Sequence, residues 1–310
     1  MIELKNVTKK YANITVIKNM SFKIEKGEVI GVLGQNGAGK TTVIKLITGL
    51  LQPTDGEVFI NNKKLTTKMK KIIGYMPENT PLYEDLTVKE FIHYIAELKC
   101  IKKQQRNIEI EKIIKKLNLQ DVKDKLIKNI SKGYKQRTSL AAALVGNPEI
   151  LILDEPTAGL DPQQVIEIRN MIKSLRKKHT IIISSHILSE ITQICEKLLI
   201  INKGTLLTVD TPKNIENQIN KNSIMITVED PQNSIEKIKD IIQEIIKIKL
   251  NKKINEKNKQ YEILIKEDID IRKKLFEILP KQNITILELK KSEITLEEAF
   301  IKLINEQGGQ

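Results

Sequence analysis

Apolar and polar residues alternate along the first part of the chain, which is the pattern of β-strands that bury one face. Residues 2–8 and 14–24 show this alternation on either side of a predicted turn at 9–13. Shorter and more continuous apolar runs predict further strands at 28–33, 57–60 and 72–76. A helix is predicted to begin at about Thr42, shortly after the first of these runs.

Helical spacing replaces the alternation after residue 84. Thr87 and Glu90 form a capping-box pair, and apolar residues then recur every three or four positions. A second such face occupies 110–117, and an alanine-rich helix is predicted at 138–145. We therefore predict a helical subdomain over about 84–145.

Two continuous apolar runs farther along the chain predict buried strands at 149–153 and 180–184. Between them, Asp161 and Pro162 have the residue types of a helix cap and a first helical residue. Strands that alternate with helices are typical of a largely parallel sheet. The predicted fold class is α/β, with a mixed sheet core, an antiparallel β-subdomain and the helical subdomain.

The pattern changes again near residue 217, where a polar stretch over 217–222 predicts a linker. We place a first domain at 1–216 and a small α+β domain at 222–310. The predicted elements of the second domain are strands at 224–228, 261–265 and 284–289, a helix carrying Ile235, Ile238, Ile242 and Ile245, a helix at 269–279, and a helix capped by Thr295.

Composition agrees with two packed domains, since the chain has 310 residues and 40% of them are hydrophobic. Its two cysteines, Cys100 and Cys195, form no disulfide framework or metal-ligand spacing, which favours a reducing cytosol. No apolar run approaches the ~20 residues that span a bilayer. The first residues do not have the pattern of a signal peptide, so we expect a chain that is soluble by itself.

The formal net charge is +13, which is compatible with nucleic acid, an anionic membrane surface or no specific partner. The lysines are spread along the chain among acidic residues, and no aromatic–basic stacking pattern accompanies them. This distribution favours a solvated basic surface, so nucleic acid is not the expected partner.

The strongest chemical signal lies between the strand at 28–33 and the helix that follows it. It fits G-x-x-x-x-G-K-[ST] and comprises Gly34, Gln35, Asn36, Gly37, Ala38, Gly39, Lys40, Thr41 and Thr42. Glycines let successive backbone N–H groups point at an anion, and the helix N-terminus adds partial positive charge. Lys40 is expected to reach the β- and γ-phosphates, and the Thr41 hydroxyl to ligate Mg²⁺. The motif predicts that the chain binds a nucleoside triphosphate.

Two residues in the first hairpin are further candidates for the nucleotide site. Tyr11 is an aromatic residue shortly before the phosphate loop, where it can stack on an adenine ring or serve only as an edge-strand tyrosine. Val16, in the next predicted strand, is predicted to contact ATP as well.

A pair of carboxylates, Asp154 and Glu155, closes the buried strand at 149–153. Open α/β sheets bind their ligands at the carboxyl ends of the strands. We therefore expect these carboxylates to meet a metal-bound phosphate.

In order and rough spacing, five motifs resemble those of ABC transporter ATP-binding subunits: residues 34–42, 131–137, 150–155, 158–161 and His186. The resemblance covers residues 2 to about 215 and implies a P-loop NTPase fold of the ABC cassette type. Residues 295–300 in the tail resemble the C-terminal extension of drug-exporter and gliding-motility-type ATPases.

The resemblance implies a role for each residue of these motifs. Asp154 would hold Mg²⁺ through its water shell, and Glu155 would act as general base for the attacking water. His186 would contact the γ-phosphate and link it to Glu155. Ser131 and the amide of Gly133 would bind the phosphates of a second subunit, so that two ATP molecules are enclosed in a head-to-tail dimer with Asp161 at the interface.

Two residues depart from the family pattern. Residues 130–134 are Ile-Ser-Lys-Gly-Tyr where the family has Leu-Ser-Gly-Gly-Gln, so Lys132 places a charge in this motif. Glu78 stands where the family has glutamine; a carboxylate still ligates Mg²⁺ but lacks the amide donor. The remaining histidines, His93 and His179, match no motif and are predicted to be surface or packing residues.

The first functional hypothesis is the ATPase of an ABC exporter. It would work with a separate transmembrane permease on the inner face of the cell membrane, paired with a second copy or a homologous cassette. Residues 79–85 would face the permease. The second hypothesis is a soluble ABC ATPase acting on ribosomes or nucleic acid, supported by the net charge but opposed by the single cassette. A third is a regulatory ATP-binding module that scarcely hydrolyses, which Glu78 and Lys132 motivate and Glu155 opposes.

Overall fold

Fourteen strands and ten α-helices are present in the part of the chain that the computed structural model describes, which is residues 1–219, 223–230, 234–266, 269–291 and 296–306. The chain divides into two compact units, Met1–Pro212 and Lys213–Gln310. In chain order, the strands of the first unit are β1 (Ile2–Tyr11), β2 (Ile14–Ile24), β3 (Val29–Leu33), β4 (Asp55–Ile60), β5 (Lys63–Lys64), β6 (Ile73–Met76), β7 (Ile150–Asp154), β8 (Thr180–Ser185), β9 (Lys197–Asn202) and β10 (Thr205–Asp210).

Six α-helices lie within the first unit, and a seventh begins at its last residue. They are α1 (Lys40–Ile47), α2 (Val88–Leu98), α3 (Lys103–Lys116), α4 (Lys132–Leu144), α5 (Pro162–Leu175), α6 (Leu188–Thr192) and α7 (Pro212–Ile219). Short 3₁₀ helices occupy Thr67–Ile72, Gln120–Val122 and Ile127–Asn129. Helices α2, α3 and α4 follow one another between β6 and β7, which confirms the predicted helical subdomain.

The central sheet of the first unit has six strands in the order β10-β9-β3-β8-β7-β6. Strands β3, β6, β7, β8 and β9 are parallel, and β10 pairs antiparallel with β9. Every residue of β3, β7 and β8 is buried, as expected for parallel strands that are covered on both faces. The predicted mixed sheet core is therefore confirmed.

A second sheet of the first unit is antiparallel, in the order β2-β1-β4-β5. Its buried face and helix α1 share one apolar core with the central sheet, in which Leu4, Val43 and Ile182 belong to the three different layers. Helix α1 is therefore packed on both sides. This packing fixes the helix at the end of β3, where the predicted phosphate loop lies.

Two helix starts illustrate how local sequence sets the boundaries. The Thr87 side chain accepts a hydrogen bond from the Glu90 N–H, and the Glu90 carboxylate accepts one from the Thr87 N–H, which confirms the capping box at α2. The Asp161 carboxylate caps α5 by accepting the Gln164 N–H at 2.9 Å. The prediction that an alanine-rich helix begins at 138 was wrong, because Ser131 provides an earlier cap and α4 starts at Lys132.

In the second unit, a four-stranded antiparallel sheet has the order β12-β13-β11-β14 within the described residues. Its elements are β11 (Ser223–Glu229), a 3₁₀ helix (Ser234–Lys237), α8 (Ile238–Ile241), β12 (Ile245–Lys253), β13 (Asn258–Ile265), α9 (Arg272–Ile278), a 3₁₀ helix (Pro280–Gln282), β14 (Thr285–Lys291) and α10 (Leu296–Glu306). An apolar core formed by β11, β13, α8 and α9 is separate from that of the first unit.

Three further predictions need correction. The turn predicted at 9–13 is shorter, because β1 continues to Tyr11. Helix α7 continues to Ile219 through the first residues of the predicted linker, and 220–222 lie outside the described residues. The helix predicted through Ile245 was wrong, because the helical turns end at Ile241 and Ile245 begins β12. The predicted cap Thr295 also lies outside the described residues.

Candidate active site

The phosphate loop connects β3 to α1 and wraps around the ammonium group of Lys40. Gly37 and Gly39 have φ angles of 79° and 109°, which other residue types adopt only with strain. Lys40 is the first residue of α1 and is buried, and its Nζ donates hydrogen bonds to the carbonyl oxygens of Gly34 at 2.9 Å and Gln35 at 3.3 Å. Gln35, Asn36 and Gly37 are exposed at the rim of the loop.

Neighbouring strands hold the loop from outside. A Cβ atom on Gly34 would lie 2.4 Å from the carbonyl oxygen of Ile201 in β9, so only glycine fits there without backbone movement. The Ala38 carbonyl accepts a hydrogen bond from the Gly204 N–H at 2.9 Å, and the Gly204 carbonyl accepts one from the Lys18 N–H at 2.9 Å. The loop is therefore preformed by its contacts with β2 and the β9–β10 turn.

Asp154 and Glu155 lie together at the carboxyl end of β7, as the sequence predicts. Both are buried, and Glu155 has a φ of 51°, in the left-handed region. Its N–H donates to the carbonyl of Ser184 at 3.2 Å and to the Ser184 Oγ at 3.0 Å. The Ser184 hydroxyl in turn donates to Asp154 Oδ1. One residue of β8 therefore fixes both members of the carboxylate pair.

The surroundings of Asp154 bring several predicted site residues together. Burial raises the pKa of this carboxyl above its ordinary value, and the negative charge of Glu78 raises it further. The Ser184 hydrogen bond, the positive charge of Lys40 and a hydrogen bond from the Thr41 side chain lower it. The net direction is upward because desolvation disfavours the ionised form most. Lys40, Thr41 and Glu78 therefore all face one buried carboxylate.

Tyr75, near the end of β6, is a further neighbour of this carboxylate. Burial, followed by the charge of Asp154 and a side-chain hydrogen bond with Asp154, raises the pKa of Tyr75 to about 12. The charge of Glu78 acts in the same direction. The phenol therefore stays protonated near neutral pH and faces the Asp154 carboxylate.

His186 completes the constellation from the end of β8. Its Nδ1 lies 2.9 Å from Oε2 of Glu155, although these residues are 31 positions apart. The imidazole side chain is 49% exposed, whereas that of Glu155 is 9% exposed. The histidine therefore stands between the buried carboxylate and the open side of the site. Since an ionised carboxylate only accepts hydrogen bonds, this contact requires the Nδ1 proton.

Ser131 and Gly133 lie at the start of α4, and their contacts are with α5 and the loop after β7. Ser131 caps α4 through its Oγ, which accepts the Tyr134 N–H at 3.5 Å. A Cβ on Gly133 would lie 2.8 Å from the Gln164 side chain. The ammonium of Lys132 lies against Gly159, where an added Cβ would be 2.0 Å from Nζ. These residues form a separate surface of the cassette, and Ser131 and Lys132 are exposed on it.

The two hairpin candidates differ in their positions. Val16 is half-buried against the core, and its carbonyl oxygen would lie 3.5 Å from a Cβ on Gly39, so it borders the phosphate loop. Tyr11 is 45% exposed at the end of β1, with Lys9 Nζ 5.3 Å from its ring centroid. The ring is accessible at the surface.

Two residues that contact the carboxylates were missed by the sequence reasoning. Ser184 is fully buried at the end of an apolar strand, which is an unusual place for a hydroxyl and was a usable signal. Tyr75 lies in the short strand β6, which carries no charged residue, and only the parallel pairing of β6 with β7 brings it beside Asp154. Nothing in its local sequence indicates that contact.

The donor set fits Mg²⁺. Thr41, Glu78 and Asp154 offer hydroxyl and carboxylate oxygens, which are the ligands of a hard cation. Among the described residues, no group of three or more His, Cys, Asp or Glu side chains converges on a metal site of its own. Mg²⁺ is commonly held by one or two carboxylates together with substrate phosphates, and this arrangement suits that mode.

Comparison with known proteins places this site in a family. The family described as ABC transporter matches residues 17–158. The uncharacterized ABC transporter ATP-binding protein YcbN of Bacillus subtilis (strain 168) is 33% identical over 310 residues, which cover 98% of this chain and 97% of that protein. The bacitracin transport ATP-binding protein BcrA of Bacillus licheniformis is 32% identical over 317 residues, covering 98% and 97%.

Solved cassettes have the same fold as the first unit. The ATP-binding cassette MJ0796, solved as a dimer in a post-hydrolysis state bound to ADP and phosphate, has a TM-score of 0.62 and 27% identity, covering 68% of this chain and 98% of that one. An ATP-binding subunit of an ABC transporter has a TM-score of 0.64 and 28% identity, covering 70% and 92%. Within the described residues, no helix is long and apolar enough to cross a membrane. The chain belongs to the ABC transporter ATP-binding proteins and is an ATP-binding cassette that hydrolyses ATP.

Proposed function

We propose that this chain is the ATPase subunit of an ABC exporter, in which ATP binding closes a head-to-tail dimer and hydrolysis reopens it. That motion would drive a separate transmembrane permease. Similarity along nearly the whole chain to BcrA, whose name assigns it to bacitracin transport, supports a transport role. The resemblance of residues 295–300 to exporter-type tails supports the outward direction. These residues are only partly within the described part of the chain.

Glu155 is the proposed general base. Its carboxylate takes a proton from water while the water oxygen attacks the γ-phosphorus, and the bond to the β,γ-bridging oxygen breaks to release ADP and phosphate. The observation that carries this assignment is the Glu155–His186 contact of 2.9 Å, since it fixes the direction of a carboxylate at the phosphate-loop end of the sheet. His186 would hold Glu155 through Nδ1 and present its other ring nitrogen toward the γ-phosphate.

Lys40 and the loop amides are the proposed phosphate ligands. Lys40 Nζ is already held inside the loop by two carbonyl oxygens, so little conformational entropy is lost when phosphates arrive. We assign the nucleotide contacts to residues 34–42, with Val16 beside the loop and Tyr11 as the adenine-stacking residue. Mg²⁺, when bound with ATP, would offset phosphate charge, and Thr41, Glu78 and Asp154 are its proposed ligands.

Ser131 and Gly133 are proposed to bind the ATP of the second cassette. Both lie at the start of α4, a 13-residue helix whose N-terminal amides suit a phosphate. The dimeric form of MJ0796 supports this pairing. Asp161, which caps α5 beside this surface, would lie at the dimer interface. The second cassette is either a copy of this chain or a homologue.

The permease is proposed to contact residues 79–85, and the cassette would then lie on the cytoplasmic face of the cell membrane. Two ion pairs connect this segment to the helical subdomain, Lys128–Asp85 at 2.9 Å and Lys135–Glu84 at 2.8 Å. Lys135 belongs to α4, the helix that Ser131 caps. A permease that moves this segment would therefore pull on the start of α4.

The catalytic assignment is tested by steady-state ATP hydrolysis of Glu155→Gln. We expect at least a hundredfold lower kcat with nucleotide binding retained, because the substitution removes the base and keeps the shape. Glu149→Gln, at the opposite end of β7, is the matched control and should hydrolyse ATP at the parent rate. Equal rates in Glu155→Gln and Glu149→Gln would remove Glu155 from the mechanism.

The partner is tested by affinity purification of tagged Glu155→Gln protein with ATP and Mg²⁺ from solubilised membranes and lysate. A polytopic membrane protein should be recovered, because the non-hydrolysing variant stays in the closed dimer. Recovery of ribosomes or nucleic acid without a membrane protein would instead support the soluble ATPase that the net charge of +13 motivates.

A further inference from the structure

A groove lies in the first unit at the edge of the central sheet opposite to the phosphate loop. One wall is a face of α3, and the other is formed by residues just before β7 and β8, including Asn147, Lys178 and His179. Since β7 and β8 are parallel, their starts are at the far end of the sheet from Glu155 and His186. The groove encloses about 530 Å³, within the range of sites for small molecules.

Three lysine side chains line this groove. Lys112 and Lys116 are one helical turn apart on α3, and Lys178 approaches from the other wall. Among the described residues, none of the three forms a salt bridge or a side-chain hydrogen bond. Burial and then the charge of Lys178 lower the pKa of Lys116, as expected where two ammonium groups face each other. The Glu109 carboxylate also lines the groove, but it accepts the Gly146 N–H at 2.5 Å.

His179 supplies a directional group at the base of the groove. It is only 3% exposed, and its Nδ1 lies 2.6 Å from the Pro148 carbonyl oxygen, so Nδ1 carries a proton and donates. Its Nε2 has no hydrogen-bond partner among the residues that the structure describes. His179 lines the groove, and Nε2 is the ring nitrogen that is left to bond a ligand or water there. The predicted packing role of His179 therefore explains the hydrogen bond of Nδ1 but gives no partner for Nε2.

We propose that this groove is a second ligand site, which binds a small molecule carrying a phosphate monoester. The lysines would neutralise the phosphate oxygens as point charges. His179 Nε2 and a phosphate oxygen would share one proton in a hydrogen bond. A phosphate monoester suits this contact because the second pKa of its phosphate group is about 6. Ile108, which is 60% exposed, and Leu144 offer apolar surface to the organic part.

Such a ligand would connect the helical subdomain to the central sheet. Lys112 and Lys116 belong to α3, whereas Lys178 and His179 belong to the loop that leads into β8. Binding would remove the repulsion between Lys116 and Lys178 and stabilise the folded cassette by mass action. The inference rests on this groove alone and does not depend on the proposed export function.

The test measures binding of phenyl phosphate and inorganic phosphate by phosphorus NMR titration of the full chain. A Lys40→Ala background weakens binding at the phosphate loop. We expect phenyl phosphate to bind at least threefold more tightly than inorganic phosphate, and Lys116→Gln/Lys178→Gln to weaken phenyl phosphate binding at least tenfold. The control is Lys115→Gln/Lys177→Gln, which removes two neighbouring charges outside the groove and should bind like the parent.

Equal binding by the two double variants, or no binding by the parent, would overturn the proposal. Thermal unfolding without ligand shows whether Lys116→Gln/Lys178→Gln is folded. If it is not, Lys112→Gln alone serves, since that side chain is exposed and its loss should weaken binding severalfold. ATP hydrolysis by the groove variants with Lys40 restored should match the parent, which separates this site from the catalytic one.

Discussion

The Ser184 hydroxyl oxygen accepts a hydrogen bond from the backbone N–H of Glu155 at 3.0 Å. The same hydroxyl donates its proton to Asp154, so one buried side chain on β8 orients both carboxylates at the end of β7. Because Glu155 has a left-handed backbone conformation, its orientation depends on such tertiary contacts. Ser184 is therefore a positioning residue for the proposed base.

Ser184→Ala should lower kcat roughly tenfold to a hundredfold with little change in KM, because misplacement of a catalytic group acts on the chemical step. It should also lower the free energy of unfolding by about 1–2 kcal/mol, since Asp154 loses a buried donor. Steady-state ATPase assays and urea denaturation measure the two effects. Ser185→Ala is the control, because that hydroxyl bonds the backbone of Ile187 and neither carboxylate within the described residues. An unchanged kcat in Ser184→Ala would show that the carboxylates keep their geometry without it.

Gly34→Ala should abolish tight ATP binding and lower the free energy of unfolding by about 1–3 kcal/mol. Its added Cβ would lie 2.4 Å from the Ile201 carbonyl oxygen, which is backbone of a central strand and moves only with the loop. Gly27→Ala is the control, because it has a φ of 85° but no atom within 4 Å of the added Cβ. In the control, thermal unfolding should show a lower stability caused by backbone strain, and fluorescent-nucleotide titration should show an unchanged affinity. Equal nucleotide affinity in the two variants would contradict the steric argument.

The phosphate loop and the carboxylate pair were predictable because their chemistry is local in sequence. The phosphate-loop motif is read from three consecutive features, namely a continuous apolar run, a glycine-rich turn and a helix start. Each feature limits the structure that the following residues can adopt. The same holds for Asp154 and Glu155, which immediately follow a strand that is buried throughout. The contact between Glu155 and His186 was not predictable from local sequence, because a crossover connection separates the two parallel strands that these residues follow. The resemblance to a known family was the basis for predicting this contact.

Contacts between neighbouring strands, and the edge strands of the sheet in the second unit, were not predictable in the same way. Strand β12 has one buried residue, Ile245, and alternates apolar residues with lysines over much of its length along an edge of the sheet. Its first residue continues the helical spacing of Ile235, Ile238 and Ile242, which favoured a helix. Pairing with β13 overrides that local pattern, since seven residue pairs join the two strands.

Asp154→Asn should stabilise the folded chain near neutral pH while it removes ATPase activity. The pKa of Asp154 is raised in the folded state, so the native state binds more protons than the unfolded chain between the ordinary carboxyl pKa and the raised value. Stability therefore falls as pH increases through this window. The asparagine does not ionise, so the variant keeps its stability over this pH window. The excess of its thermal stability over that of the parent should therefore shrink as pH is lowered toward about 4. A variant less stable than the parent at pH 7 would show that the hydrogen bonds of the carboxylate outweigh its desolvation.

Glu78→Gln should change the metal dependence of hydrolysis more than its maximal rate. The Glu78 carboxylate lies close enough to Asp154 to raise its pKa, after the larger effect of burial. Two neighbouring carboxylates repel each other, and a divalent cation bound by both relieves that repulsion. Replacing one of them by an amide should therefore weaken Mg²⁺ binding. We expect the Mg²⁺ concentration at half-maximal ATPase activity to rise roughly threefold to tenfold.

Glu57→Gln, which removes an exposed carboxylate paired with Lys64, is the matched charge control and should leave the Mg²⁺ requirement unchanged. The substitution at 78 also restores an amide that can donate a hydrogen bond, so kcat at saturating Mg²⁺ should be equal to or higher than that of the parent. A lower requirement for Mg²⁺ in Glu78→Gln would mean that Glu78 competes with ATP for the cation. An unchanged requirement would place the carboxylate outside the metal's reach, and its effect on Asp154 would then be electrostatic only.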